Sequence, residues 1–209
     1  MNYKPYRNES TRSSVLAGVA AGREAEAWAR FFDTYAGYVF GIARRRGLAE
    51  ADADEIVQQV MGELVNGNGL ARYDRSRGGF RQWLARRVVW RVANQRRDGE
   101  ARRAAEAEYA EGTAEAAEAE LEGVFEEEWR AAVLGEALRR LGEESNPMHY
   151  AVFYASAVEG LDTETVRKMH GVGAANLYQI RRRLGARLRT LLEESRRDLE
   201  SGKGLPGEG

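Results

Sequence analysis

The chain contains no cysteine. Disulfides, thiolate metal sites and cysteine nucleophiles are therefore excluded. It has only two histidines, His149 and His170, far apart and not at ligand spacing. A histidine-based metal site or general-base pair has little to be built from. Three prolines in 209 residues leave few obligatory helix breaks. No apolar run approaches the length of a membrane span. The N-terminal stretch MNYKPYRNESTRSS is polar and lacks the apolar centre of a secretory signal. Gly78-Gly79 sits among arginines without the Lys-Ser/Thr partner of a phosphate-binding loop. These absences argue against an enzyme and against a membrane protein. They predict a cytoplasmic protein with no cofactor and no metal. What the chain does have is Ala, Arg, Glu and Leu in abundance, which predicts an all-α fold.

The formal net charge is −1, but the charge is segregated. Residues 71–103 carry eleven arginines against Asp74, Asp98 and Glu100, a net of +8. Residues 104–128 carry ten glutamates and no basic residue, a net of −10. Residues 167–197 carry nine basic residues against Glu193 and Glu194, a net of +7. Two basic blocks around an acidic one predict two polyanion-binding surfaces with a spacer between them.

Apolar periodicity divides the chain further. Residues 1–23 read as a loose tail. A first helix spans about 24–46, with Trp28, Phe31, Phe32, Tyr35, Val39 and Ile42 on one stripe and Gly47 to end it. A second spans about 52–65, with Ile56, Val57, Val60, Met61 and Leu64 as its apolar face. Asp52, Asp54 and Glu55 open this helix. Carboxylates there suit the helix dipole far more often than they hold a metal. A loop over 73–79 leads into a third helix, about 79–97. Residues 104–128 are low in complexity and poor in large apolar side chains, though their composition can support helix, which predicts a mobile, partly helical acidic linker; an ordinary surface helix is the alternative. A second folded unit, 129–195, contains helices at about 129–141, 147–158, 163–170 and 174–194. A C-terminal tail, 196–209, follows.

The third helix carries two stripes. Phe80, Leu84, Val88 and Val92 recur at packing intervals. Trp83 and Trp90, seven residues apart, fall on roughly one side with Arg86, Arg87, Asn94 and Arg97. Aromatic faces set among guanidinium groups can hold unstacked bases and their phosphates. Large core residues beside a solvated basic face are the competing reading.

Between Leu161 and Leu188 a short helix, a Gly171-Val172-Gly173 turn and a longer basic helix make a helix-turn-helix pattern. Val166, Met169, Val172, Leu177 and Ile180 are expected to lock the two helices together. Asn176, Tyr178, Gln179, Arg181 and Arg182 are then expected to face outward, where amides and guanidiniums can read base edges or hold phosphates.

These segments resemble the extracytoplasmic-function group of sigma-70-type RNA polymerase sigma factors. The resemblance covers roughly 11–103 and 129–195. Asp52-Ala-Asp-Glu-Ile-Val-Gln-Gln-Val60 is similar to that family's polymerase-binding helix, D-A-E-D-L-x-Q-E-V. Tyr73-Asp-Arg-Ser-Arg-Gly-Gly-Phe-Arg-Gln-Trp-Leu84 is similar to its F-D-x-x-R-G-S-F-R-x-W-L block. There are departures: Gln59 stands where the family has an acid, Trp90 and Asn94 where its melting helix has Asn and Asp, Thr165 for the capping-box acid and Gly173 for Ser.

The resemblance implies a two-domain, all-α promoter-specificity subunit without catalysis of its own. It implies core polymerase as a partner through Asp52, Asp54, Glu55, Gln58 and Gln59. Single-stranded −10 DNA would meet Phe80, Trp83, Arg86, Arg87, Trp90, Arg91, Asn94 and Arg97. Duplex −35 DNA would meet Asn176, Tyr178, Gln179, Arg181 and Arg182. An anti-sigma factor is an optional further partner. The alternative is a helix-turn-helix regulator that is not a polymerase subunit. That reading leaves the Asp52–Val60 helix and the tryptophan stripe without a role.

Overall fold

In the computed structural model the described residues are 6–17, 19, 23–66, 70–74, 76, 79–103, 114–201 and 205–206, with backbone alone at 23, 66, 71, 96–103, 114–122 and 124. Among them there are eight α-helices and no strand: α1 Glu9–Leu16, α2 Arg23–Arg45, α3 Glu50–Asn66, α4 Phe80–Arg103, α5 Ala114–Glu144, α6 Pro147–Ala157, α7 Thr163–His170 and α8 Ala174–Ser201. A 3-10 turn, Leu70–Arg72, precedes α4. The all-α expectation holds. None of these helices is long and apolar enough to cross a membrane.

The chain divides into two compact units. The first is built from Tyr6–Ala132 and Leu199–Gly209. Its core is the apolar stripes of α2, α3 and α4. Phe31, Tyr35, Val39 and Ile42 from α2 are buried with Ile56, Val57, Val60 and Met61 from α3 and Leu84 and Val88 from α4. Phe80 is 0% exposed and packs edge-on against Phe31, Tyr35 and Tyr73. Burying an aromatic this completely contributes about 3–5 kcal/mol as judged by truncation. All four tryptophans, Trp28, Trp83, Trp90 and Trp129, belong to this unit.

Two segments expected to be loose are ordered here. The predicted tail 1–23 contains α1. Its Asn8 cap accepts the Thr11 N–H at 3.0 Å, and Thr11 and Val15 are buried. A strong cap and two anchoring side chains are enough for eight residues once a neighbouring helix supplies the surface. The predicted linker 104–128 lies outside the described residues up to 113, but from Ala114 onward it is the first half of α5. Runs of Ala and Glu form helix by propensity without needing a wide apolar stripe. At the end of that stretch, Glu126 pairs with Arg81 at 2.6 Å and Glu128 with Arg45 at 2.8 Å. Glu128 reaches Arg45 across Gly41, where a Cβ would collide with its carboxylate. Trp129 follows, 1% exposed, between Tyr35 and Tyr38 and beneath the Arg81 guanidinium.

The second unit centres on Val133–Asp198. Leu138, Leu141, Val152, Phe153, Val166, Leu177, Ile180, Leu184 and Leu191 form its core. Asn146 caps α6 by accepting the Met148 and His149 N–H groups, with Pro147 in the first turn, where its missing N–H costs nothing. Glu136 is 7% exposed and is held by Arg139 at 2.7 Å and Arg140 at 2.7 Å; Arg140 also reaches Asp198 at 2.9 Å. The expected C-terminal tail begins instead as helix, since α8 runs to Ser201, and Leu199 and Leu205 are buried.

Candidate nucleic-acid interface

Helix α4 turns one face into the core and leaves the other at the surface. The packed face is Phe80, Leu84, Ala85, Val88 and Val92. Phe80 therefore serves the core, and the expectation that it meets DNA directly is corrected: its ring has no surface to offer. The outer face, with Arg72 from the 3-10 turn and Glu63 from α3, lines a cleft of about 610 Å³. Trp83, Arg86, Arg87, Trp90 and Arg91 are its α4 contributors. The seven-residue spacing thus brings both tryptophans to one cleft.

The two rings differ in setting. Trp83 leans on Tyr73 and Phe80, with centroids 5.4 Å from each, and the Arg87 guanidinium lies 5.1 Å from its centroid. Trp90 is 58% exposed, and the Arg91 guanidinium lies 5.1 Å from its centroid. Exposed tryptophan of this extent is unusual and is a surface for another planar group. Core packing as the explanation of Trp90 is thereby removed. Burial, and then the charge of Arg72, lower the Arg87 pKa. Cations crowded in this way favour an anion beside them. Glu63 supplies one: its carboxylate accepts from Arg87 at 3.0 Å and is ion-paired with Arg91. Sequence periodicity gave no reason to single out Glu63 or Arg72, because neither lies on α4. Arg86 is exposed and Asn94 half-buried, while the side chain of Arg97 lies outside the described residues.

On α3, Asp52, Glu55 and Gln58 are exposed, and Asp54 and Gln59 half-buried. Several already have partners. Tyr6 donates its hydroxyl to Asp54 at 2.6 Å, Gln58 donates to Ser14 at 2.9 Å, and Gln59 donates to Glu55 at 3.0 Å. Burial, then the hydrogen bond to Asp54, raise the Tyr6 pKa well above its ordinary value, so the phenol stays a donor.

In the second unit, α7 and α8 meet at a glycine turn. Asp162 caps α7 by accepting the Glu164 and Thr165 N–H groups at 3.0 Å, and Thr165 donates its hydroxyl to the same carboxylate at 2.6 Å. Gly171 ends α7 with φ +64°, a left-handed conformation that glycine adopts without strain. Val166, Leu177 and Ile180 are buried and Val172 packs against them. Met169, expected among the locking residues, is 61% exposed; it falls on the outer side of the short helix. Asn176, Tyr178, Gln179, Arg181 and Arg182 are all exposed on α8. Arg183, beside them, bonds His149 at 2.8 Å.

Residues 31–103 match the family model of sigma-70 region 2. This is the segment that holds α3, α4 and the cleft. Region 2 domains belong to transcription-initiation factors that bind core RNA polymerase and promoter DNA and are not enzymes. No curated protein and no solved structure matches the chain.

Proposed function

We propose that the chain is a sigma factor of the extracytoplasmic-function type, acting in the cytoplasm as the promoter-specificity subunit of RNA polymerase. The observation that carries this reading is the cleft on α4, where two tryptophans are interleaved with arginines inside the segment similar to sigma-70 region 2. Guanidinium charge attracts the backbone of a melted strand, and the exposed Trp90 ring offers a stacking partner that rewards an unpaired base over a paired one.

The remaining roles follow from the same reading. Asp52, Asp54, Glu55, Gln58 and Gln59 present a polar face of α3 to core polymerase. Trp83, Arg86, Arg87, Trp90, Arg91, Asn94 and Arg97 take the −10 strand. Asn176, Tyr178, Gln179, Arg181 and Arg182 enter the major groove of the −35 duplex, as the second helix of a helix-turn-helix does. An anti-sigma factor is an optional partner of the same surfaces.

The test is Trp90→Ala with core polymerase, read as open-complex formation on a duplex promoter and on a pre-melted bubble. Stacking on an aromatic is worth about 1–3 kcal/mol per base, roughly 5- to 150-fold in an equilibrium. We expect a defect of that size on duplex, partial rescue by the bubble, and a near-normal melting temperature. Equal activity of variant and wild type on both templates refutes the reading.

A further inference from the structure

Among the described residues Glu63 is the only acidic one lining the α4 cleft, and it occupies two of the cleft's cations. The pairing is incomplete. Arg87 and Arg91 each bond Glu63 through one terminal nitrogen, while the Nε–H of each is buried without an acceptor among the described residues. A guanidinium has five donors, and one carboxylate shared by two guanidiniums cannot satisfy both. A backbone phosphate suits the guanidinium fork as a carboxylate does. The cleft's own carboxylate thus holds donors that an incoming phosphate would take.

We propose that Glu63 is an electrostatic gate on this cleft, a carboxylate that competes with the backbone phosphate of an incoming strand for Arg87 and Arg91. The proposal rests on the reading of the cleft as a single-strand site and adds a specificity-determining residue to it. A polyanion without bases must displace Glu63 by charge alone. A melted strand displaces it with the added gain of stacking on Trp90. The gate lowers affinity by the same factor for every polyanion that must displace Glu63, so at a given concentration it clears the cleft of ligands held by charge alone and leaves those with the added gain of stacking.

The experiment compares wild type, Glu63→Gln and Glu63→Asp by titration calorimetry at several salt concentrations. The ligands are inorganic polyphosphate and a short poly-thymidine oligonucleotide. Glu63→Gln should bind polyphosphate roughly fivefold more tightly, the size expected for loss of one partly exposed ion pair. Its slope of log affinity against log salt should steepen by about 0.7 for each additional phosphate neutralised. The gain for poly-thymidine should be of the same size, since it displaces the same carboxylate, and Glu63→Asp should stay near wild type. In an Arg87→Gln, Arg91→Gln background the Glu63→Gln gain should vanish. Unchanged or weaker polyphosphate binding by Glu63→Gln, in a protein of normal melting temperature, overturns the gate and makes Glu63 a positioning residue for the two arginines. A gain that persists without Arg87 and Arg91 also overturns it. Failure of the cleft reading is distinguishable: Trp90→Ala would be silent in open-complex formation while the polyphosphate effects remained.

Discussion

Trp129→Ala measures whether the acidic segment docks by place or merely by charge. The indole is 1% exposed, with its ring 5.4 Å from Tyr38, 6.3 Å from Tyr35 and 6.0 Å from the Arg81 guanidinium. Truncating a tryptophan so placed costs about 3–5 kcal/mol. One term opposes this: the Trp129 Nε1–H is buried without an acceptor among the described residues, and removing it relieves a penalty of about 1–3 kcal/mol. The net expectation is a loss of about 2 kcal/mol, a fall in Tm of roughly 5–10 °C for a unit of this size. The ion pairs beside the ring, Arg81 with Glu126 and Arg45 with Glu128, are partly exposed and should each contribute less than about 1 kcal/mol. The ring therefore outweighs the charges. Urea denaturation followed by circular dichroism should show a large shift for Trp129→Ala, a small one for Glu126→Gln with Glu128→Gln, and little change for Trp129→Phe, which keeps the packing and drops the unpaired N–H. If Trp129→Ala lies within about 1 kcal/mol of wild type, or the double glutamine variant is the worse of the two, the docking argument is refuted.

Three further outcomes are expected. Burial would raise the Glu136 pKa, but hydrogen bonds from Arg139 and Arg140 and their charges outweigh it, so the folded value is lowered. Its stabilisation is then fully present above about pH 5 and lost as pH falls through roughly 4 and below; Glu136→Gln should lower Tm at neutral pH and flatten its decline in acid. Alanine at Asn176, Gln179, Arg181 and Arg182 should sort by role on specific and scrambled duplexes: a base-reading side chain loses about 1–3 kcal/mol of discrimination, a phosphate-holding one weakens both duplexes and flattens the salt slope. No effect at any of the four would remove α8 from the DNA. Asp54→Arg with Glu55→Arg should weaken core-polymerase association by about 2–5 kcal/mol, and unchanged co-purification of a folded variant would exclude α3 from that interface.

Much of the fold was legible because amphipathic periodicity drives it. Every residue expected on the stripes of α2 and α3 is buried, although Tyr38, buried as fully, was not among them, and α7 runs between the expected ends because Asp162 and Gly171 are cap residues with a local mechanism. What escaped was structure held by something other than a stripe. Helix α1 owes its order to an asparagine cap and a neighbouring helix, neither of which a short serine-rich string announces. The first half of α5 is helical by propensity, so its few large apolar residues pointed to a linker. At the site, the pairing of Trp83 with Trp90 followed from spacing alone. Phe80 was misplaced because a residue at the start of a helix can serve either face until the loop before it is known; Tyr73, from that loop, covers it. Glu63 was invisible because its role depends on where α3 crosses α4.

The confinement of every tryptophan to one unit has a spectroscopic consequence. Trp28 and Trp129 are buried, Trp83 is half-covered, and Trp90 alone stands in solvent. Red-edge emission and quenching by a water-borne collider such as iodide should therefore report on Trp90 almost exclusively, while the blue side follows the core around α2. The Val133–Asp198 unit has only tyrosines, Tyr150, Tyr154 and Tyr178, and is dark at tryptophan-selective excitation. Intrinsic fluorescence thus gives two colours from one half of the molecule and none from the other. A strand entering the α4 cleft should dim the red component, and a duplex bound on α8 should leave both untouched.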